Sequence, residues 1–276
     1  MNANPIDAAI ARARAKGNMG LMTHAVVGFP SLQATVALAE TMDDAGADLI
    51  ELQIPFSDPL ADGPTIMGAC EESLRRGTRV RDAFKVASIL SRRIAAPLIF
   101  MAYYNTVFKH GVKEFCREAA RAGISGIIVP DLPLEEDQSE HLREQADLNG
   151  IYFIRVIAPA STPGRLEKNA AVAKGFVYCS AWQGITGARA DLPPGLAAYL
   201  KKVRRLFKVP VAVGFGISNP EHIEKLRRHA DVAVVGSAII NLINQSGSKK
   251  FLPVVRRFIR DMKKQCSIFE GVSLSA

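Results

Sequence analysis

The sequence alternates between short apolar runs and longer stretches of helical periodicity, and this alternation constrains the fold more than any other feature. Eight runs rich in β-branched and other apolar residues recur, at positions 21–27, 47–52, 97–102, 126–129, 152–157, 175–179, 209–213 and 232–235. Each run is followed by a turn signal and then by apolar residues at helical spacing, which predicts a strand followed by a helix. Gly46, Gly123 and Gly150 end three of the helical stretches, where a glycine typically forms the C-terminal cap.

Repeated strand–helix units predict parallel strands joined by right-handed crossovers. A doubly wound open sheet and a closed (β/α)8 barrel both satisfy this pattern. The 276 residues contain no low-complexity linker, and eight units favour the barrel, which usually takes about 250 residues. An open sheet more often carries a glycine-rich nucleotide turn after its first strand, and "VVGFPS" is not one. We predict a single TIM-barrel domain over residues 1–276, with an N-terminal helix over 1–18 and a disordered tail over 265–276.

Composition excludes several classes of protein. No apolar run reaches the roughly 20 residues that span a bilayer, and the N-terminal segment lacks the apolar core of a secretion signal. The four cysteines have no paired spacing, which indicates reduced thiols and neither a disulfide framework nor a metal site. We therefore expect a cytoplasmic protein with no membrane segment and no metal.

The net charge of +8 raises the question of a nucleic-acid partner. The excess charge lies in helix-like segments, at residues 73–85, 199–208 and 251–264. In the last two, apolar residues recur at helical spacing with Lys and Arg between them, which is typical of surface helices with a basic outer face. The sequence has no helix-turn-helix signature, zinc finger or aromatic RNA platform. We expect no nucleic-acid partner, although a basic surface would suit an anionic substrate or an acidic protein.

The loops after the seventh and eighth strands predict a phosphate site, because barrels often bind phosphate there. These loops read "GFGISNPE", from residue 214, and "VGSAIINL", from residue 235. Gly214 and Gly216 allow the backbone to approach an anion, and Gly236 and Ser237 precede a short apolar helix whose N-terminus can direct free N–H groups at the same oxygens. A third glycine-rich loop, residues 184–195, is long enough to act as a lid.

The segment "ELQIPFSDPLADGP", residues 51–64, contains three acids in a loop stiffened by prolines. Glu51 lies at the end of the second predicted strand, so its side chain can reach the barrel mouth. Burial there would raise its pKa and suit proton transfer. Asp62 can fold over the mouth, and two acids in different environments can divide acid and base roles. Alternatively Asp62 caps the helix that follows, and Asp58 is a turn or interface residue.

Three further polar residues follow or lie within predicted strands. Tyr103, after strand three, either packs or faces an aromatic or hydroxylated substrate. Asp131, after strand four, is interpreted as an acceptor for loop N–H groups. His24, inside strand one, is more typical of a core histidine than of a catalytic one. No cluster has metal-ligand spacing, and no lysine ends a strand as a Schiff-base candidate. The residues predict acid/base chemistry on a phosphorylated small molecule, without metal or cofactor.

Six motifs occur in the order and spacing of one known family: "ELQIPFSDPLADGPTI", "MAYYN", "VPDLP", "GITGAR", "GFGIS" and "VVGSAII". Over residues 20–265 the chain resembles the tryptophan synthase α chain. The resemblance implies a carbon–carbon lyase of tryptophan biosynthesis. Its reaction would be the retro-aldol cleavage of indole-3-glycerol phosphate to indole and glyceraldehyde 3-phosphate.

The resemblance also implies roles for individual residues. Glu51 would be the principal acid/base, protonating the indole C3 and later handling the glycerol hydroxyl proton. Asp62 would stabilise the charge that develops on the indole N–H, and Tyr103 would lie close to them. Matching positions for the indole pocket are Ile128, Tyr178 and Phe215. Matching positions for phosphate are Gly187, Gly216, Gly236 and Ser237, with Thr186 ordering the lid onto Asp62.

The family's α chain docks on a pyridoxal-phosphate β chain and passes indole to it through a tunnel. The resemblance therefore implies an α2β2 heterotetramer in which Asp58 and Pro59 lie in the contact region. Pyridoxal phosphate would belong to the partner, so no cofactor is expected in this chain.

The sequence departs from the family's pattern at five positions around the floor of the site and the base of the lid: His24, Phe29, Gln53, Ala181 and Trp182. Gln53 replaces a glycine two residues after Glu51, so both side chains point to the same face if the strand continues. We hypothesise that Gln53 hydrogen-bonds Glu51 or narrows the pocket.

Three other functions fit part of the sequence. A weakly active or non-catalytic subunit would bind a β chain and mainly activate it. A free-standing lyase would release indole without a partner. An isomerase acting on another phosphosugar would need a different acid/base set at strands one and five, where His24 is found but no acid.

Overall fold

The computed structural model describes residues 4–180, 192–214, 216–247 and 250–267. Within these ranges eight parallel strands close into a barrel, each hydrogen-bonded to the next in sequence and the last to the first. The strands are β1 (Gly20–Val26), β2 (Leu49–Gln53), β3 (Leu98–Met101), β4 (Ile124–Ile128), β5 (Tyr152–Ile157), β6 (Val177–Ser180), β7 (Val211–Gly214) and β8 (Val232–Val235). The predicted (β/α)8 barrel is confirmed, and each predicted strand overlaps an observed one.

Thirteen helices occur in the described ranges. The first seven are α1 (Pro5–Ala15), α2 (Leu32–Asp44), α3 (Pro64–Arg75), α4 (Val80–Leu90), α5 (Tyr104–His110), α6 (Val112–Arg121) and α7 (Leu134–Glu140). The others are α8 (Leu142–Leu148), α9 (Pro163–Val172), α10 (Leu196–Leu206), α11 (Pro220–Leu226), α12 (Ser237–Ser246) and α13 (Phe251–Gln265). The stretch of helical periodicity that ends at Gly150 predicts one helix after strand four. His141 has φ 57°, which ends α7 and starts α8.

The N-terminal helix α1 closes the bottom of the barrel. Ile6, Ala9 and Ile10 are buried with interior strand residues such as Met22 and Leu49. The α1 N-cap, Asn4, accepts a hydrogen bond from its own helix and donates to the Ser125 and Gly150 carbonyls at the feet of β4 and β5. The helix is therefore anchored by polar contacts at its start and by apolar burial along its inner face.

Strand β4 begins two residues before the predicted strand, and close packing at Gly126 explains the difference. Gly126 reads as a turn residue in the sequence, so strand four was predicted to begin there, whereas β4 begins at Ile124. A Cβ on Gly126 would lie 2.8 Å from Cδ1 of Ile6. The glycine makes room for α1 and does not mark a turn.

The basic segments and the tail can also be placed. Helix α13 buries Phe251, Val255, Ile259 and Met262, and its basic residues lie mostly on the opposite face, as predicted. Cys266 is buried and Ser267 bridges to Asn18, so the packed chain extends past the position where the tail was predicted to start. Residues 268–276 lie outside the described ranges.

All four cysteines are buried free thiols. Among the described helices, none is long and apolar enough to cross a membrane.

Candidate active site

The mouth of the barrel encloses a pocket between the strand ends and the loops that follow them. One side of its wall is polar, with His24 from β1, Glu51 and Gln53 from β2, and Asp62 from the loop between β2 and α3. The rest of the wall is apolar or aromatic, with Met101, Ile128, Val156, Tyr178 and Val234. The loops after β7 and β8 complete the rim with Gly216, Ile217, Gly236 and Ser237. The mouth thus brings together acids, apolar surface and two glycine-containing loops of the kind that bind anions.

Glu51 is buried inside the wall of the barrel. It was predicted at the end of the second strand, but β2 continues to Gln53, so Glu51 lies two residues deeper and is only 4% exposed. No described residue hydrogen-bonds its carboxyl group. Burial, with a smaller contribution from the charge of Asp62, raises its pKa to about 8. Glu51 therefore carries a proton at neutral pH and can donate it.

Asp62 is the second buried acid, and it is held in the opposite protonation state. Its Oδ2 accepts hydrogen bonds from Gln53 Nε2 at 2.6 Å and from Tyr103 Oη at 3.0 Å. Burial raises its pKa to about 6, and the two donors oppose that rise. Asp62 is thus mostly ionised at neutral pH. The alternative role as a helix cap is wrong, because α3 is capped by Gly63.

Tyr103 ties the loop after β2 to the end of β3. Its hydroxyl donates to Asp62 and accepts from the backbone N–H of Ala61 at 3.0 Å. Its ring stacks on Phe56, with the centroids 5.3 Å apart. The side chain is fully buried, so it holds the loop that carries Asp62 and does not line the pocket.

Gln53 contacts Asp62 and His24, and the hypothesis that it hydrogen-bonds Glu51 is wrong. Its Oε1 lies 2.8 Å from His24 Nε2, while its Nε2 faces the Asp62 carboxylate. A carboxylate only accepts hydrogen bonds, so the amide must present its N–H₂ to Asp62 and its carbonyl to His24. His24 therefore carries its hydrogen on Nε2. Burial lowers the pKa of His24 to about 4, which keeps the ring neutral.

The two predicted phosphate loops meet at the pocket. Gly216 has φ 102°, a conformation that favours glycine, and Gly236 precedes α12, whose first residue is Ser237. Gly214, also interpreted as an anion contact, has another role. A Cβ there would lie 2.2 Å from Tyr178 Oη, so this glycine makes room for the tyrosine ring.

The other residues predicted from the sequence are partly exposed, partly buried and partly outside the described ranges. Asp58 and Leu60 are exposed, Leu60 to 83%, whereas Pro59 between them is buried. Asp131 accepts hydrogen bonds from the Tyr104 N–H, as predicted. Phe29, a departure from the family pattern, is buried in the outer core. Five positions named from the sequence lie outside the described ranges: Ala181, Trp182, Thr186, Gly187 and Phe215.

Sequence reasoning missed Met101 and Val156, which line the pocket from β3 and β5. Both lie on strands that alternate between the two faces of the barrel wall, so period-two counting would have placed them inside. The link from Gln53 to Asp62 was also missed. No sequence signal identifies it, because the two residues meet only through the path of the loop. In the described part of the chain, no group of three or more His, Cys, Asp or Glu side chains is placed to hold a metal ion.

A parallel barrel with a protonated glutamate, an ionised aspartate and two anion-type loops at its mouth defines an acid/base enzyme of the (β/α)8 class. Comparison with known proteins refines this class. A family model described as tryptophan synthase alpha chain matches residues 10–267. The tryptophan synthase alpha chain of Roseiflexus castenholzii is 42% identical over 252 residues, which cover 91% of this chain and 95% of that relative.

A second relative, the tryptophan synthase alpha chain of Desulfotalea psychrophila, is 44% identical over 235 residues, covering 85% of this chain and 92% of its own. Among solved structures, a chain of Mycobacterium tuberculosis tryptophan synthase has a TM-score of 0.89 at 31% identity, covering 97% of this chain and 100% of that one. The chain belongs to the tryptophan synthase alpha chain family, and it is accordingly a lyase of tryptophan biosynthesis.

Proposed function

We propose that the chain cleaves indole-3-glycerol phosphate to indole and glyceraldehyde 3-phosphate by acid/base catalysis. One observation carries the proposal: a single pocket holds two buried carboxyl groups of opposite protonation state, Glu51 with a proton and Asp62 without. A retro-aldol cleavage of an indole needs a proton donor for the ring carbon and an anion for the ring nitrogen. The pair supplies both.

The proposed reaction begins when Glu51 donates its proton to C3 of the indole ring, which places positive charge on the ring nitrogen. Ionised Asp62 stabilises that charge as the partner of the N–H group. Glu51, now ionised, takes the proton of the adjacent side-chain hydroxyl. The carbon–carbon bond then breaks, its electrons return to the ring, and the hydroxyl carbon becomes the aldehyde. Glu51 ends protonated, as it began, because the hydroxyl proton replaces the one given to C3, and one residue balances both transfers.

The phosphate group of the substrate is assigned to the rim. Gly216, Gly236 and the N-terminus of α12 at Ser237 are the described groups that can hold an anion there. Ile128 and Tyr178 lie on the apolar side of the pocket, where an indole ring would bind. The chain needs no resident cofactor for this chemistry.

A β chain is proposed as the partner, and pyridoxal phosphate would belong to that chain. The exposed residues Asp58 and Leu60 on the loop after β2, together with Phe108 on α5, which is 60% exposed, offer polar and apolar surface at the mouth end. A contiguous apolar patch at a site entrance marks a protein contact, and Leu60 and Phe108 are exposed apolar side chains available to form one. We expect the complex to form in the cytoplasm.

The test is indole release from indole-3-glycerol phosphate by the purified chain, alone and with a tryptophan synthase β chain. Glu51→Gln keeps the shape of the side chain and removes the transferable proton, so turnover should fall by about 10²–10⁴-fold. Near-normal turnover of Glu51→Gln would remove Glu51 from its role. A chain that stimulates the β reaction but never releases indole or tryptophan from this substrate would instead be a non-catalytic activator.

A further inference from the structure

A continuous chain of hydrogen bonds crosses the polar wall of the mouth. It runs from His24 on β1 to Gln53 on β2, from Gln53 to Asp62 in the loop, and from Asp62 to Tyr103 after β3. The first two distances are 2.8 Å and 2.6 Å, and all four side chains are buried. A loop carboxylate is thereby connected to three strands of the barrel.

The chain of hydrogen bonds orients the Asp62 carboxylate. Gln53 and Tyr103 both donate to Oδ2, and no described residue donates to Oδ1. Within the described part of the chain, Oδ1 is thus the oxygen available to a ring N–H of the substrate. A carboxylate held by two buried donors on one oxygen has little freedom to rotate, which is the preorganisation that electrostatic stabilisation requires.

His24 fixes the orientation of the Gln53 amide. Without an N–H donor beside its carbonyl, the amide could rotate and present its oxygen to Asp62, which would repel the carboxylate. The neutral His24 ring prevents this by donating from Nε2. Its other nitrogen, Nδ1, is buried and has no hydrogen-bond partner among the described residues. A Cβ on Gly236 would lie 3.4 Å from that nitrogen, so the ring also packs against the start of α12.

We propose that Gln53 and His24 are positioning residues that hold the loop-borne Asp62 in its working orientation, so that this chain orders Asp62 without help from a partner subunit. The kinetic consequences rest on the proposed lyase function, whereas the structural consequence does not. The two can therefore be tested apart.

The structural test is amide hydrogen exchange in the chain alone. The backbone N–H groups of Leu60, Ala61 and Asp62 are hydrogen-bonded, so their exchange reports opening of the loop. Gln53→Met has a similar volume and no hydrogen bond, and exchange at these three amides should be roughly tenfold faster or more. His24→Phe should change it in the same direction by less.

The matched control is Gly68→Ala on α3, the helix that follows the loop. A Cβ on Gly68 meets nothing within 4 Å, so exchange at the loop should be unchanged. Unchanged exchange in a folded Gln53→Met variant would overturn the proposal. If that variant does not fold, unchanged exchange in His24→Phe overturns it equally.

The kinetic test separates positioning from packing. Loss of the Gln53 donor raises the pKa of Asp62, so the acid limb of kcat/KM should move to higher pH, and kcat should fall about 10- to 100-fold with KM little changed. The double variant should lose much less than the product of the two single losses, because both residues act through one contact. If the wild-type chain releases no indole but Gln53→Met still speeds exchange in the loop, the proposed reaction is refuted. The positioning role of Gln53 is then still supported.

Discussion

The pH dependence of indole release should report the two carboxyl groups of the mouth separately, because they are active in opposite protonation states. Asp62 must be ionised and has a pKa of about 6, while Glu51 must be protonated and has a pKa of about 8. For the free enzyme, kcat/KM should therefore be highest between these values and fall about tenfold per pH unit beyond each. At pH 9 the chain should retain roughly one tenth of its maximum.

The magnitude follows from the burial of Glu51. Its pKa rises from an ordinary 4.5 to about 8. At 1.36 kcal/mol per pKa unit, ionising this group in the pocket costs about 5 kcal/mol more than ionising it in water. Burial is the larger cause and the charge of Asp62 the smaller one. Replacing Asp62 by Asn should thus shift the basic limb to lower pH, but the pKa of Glu51 should stay well above its ordinary value of 4.5.

Asp62→Asn also resolves the acid limb. The phosphate of the substrate loses its second proton near pH 6, so in the wild type this limb has two possible origins. A limb that disappears in Asp62→Asn belongs to the aspartate, and one that persists belongs to the substrate.

The assay is the initial rate of indole formation at subsaturating substrate, from pH 5 to pH 10, at constant ionic strength. Because the two acids interact, the limbs give the pKa values of the pair. A wild-type profile that stays flat from pH 7 to pH 10 would refute the protonated state of Glu51. A basic limb that does not move in Asp62→Asn would refute the coupling between the two acids.

Three further outcomes follow from the same structure. Folding raises the pKa of Glu51 from 4.5 to about 8, so the unfolding free energy of the wild type should fall as the pH rises through this range. Glu51→Gln should match the wild type at pH 4 and be more stable than it by up to about 5 kcal/mol at pH 9, measured by urea unfolding. Tyr103→Phe removes a donor to a buried carboxylate and leaves a loop N–H unpaired, and should cost about 1–3 kcal/mol of unfolding free energy in the same assay. Gly214→Ala should displace the Tyr178 ring and abolish most indole release, whereas Gly68→Ala, on a helix with open space beside it, should leave the rate unchanged.

The fold could be predicted because its signals are local. Alternating strand and helix periods specify parallel units, and closure into a barrel follows from their number. A strand boundary was misplaced where a glycine serves packing, as Gly126 does against Ile6. The sequence gives no sign of the break at His141, because a left-handed residue inside an otherwise continuous helical pattern depends on surrounding contacts.

The site was predictable in its residues and less so in its contacts. Burial of Glu51 followed from strand position, although its depth was underestimated by two residues. Gln53 was recognised as unusual, but its partner was assigned wrongly. Side chains at i and i+2 share a face without touching, so the amide of Gln53 reaches across to β1 and to the loop and does not bond Glu51. Such a choice depends on side-chain torsions and loop path, which periodicity does not encode.

Helix α1, which closes the bottom of the barrel, decides by which route a small molecule can leave the pocket and where the protein can be attached to a surface. Ile6 is seated among the strand feet, so the described part of the chain leaves no second opening at that end, and a molecule that enters by the mouth must leave by it. The aromatic and the phosphorylated fragments of a cleavage would compete for one exit. A purification tag or surface tether joined ahead of Asn4 would sit on the face farthest from that exit, and immobilised protein would keep its entrance open.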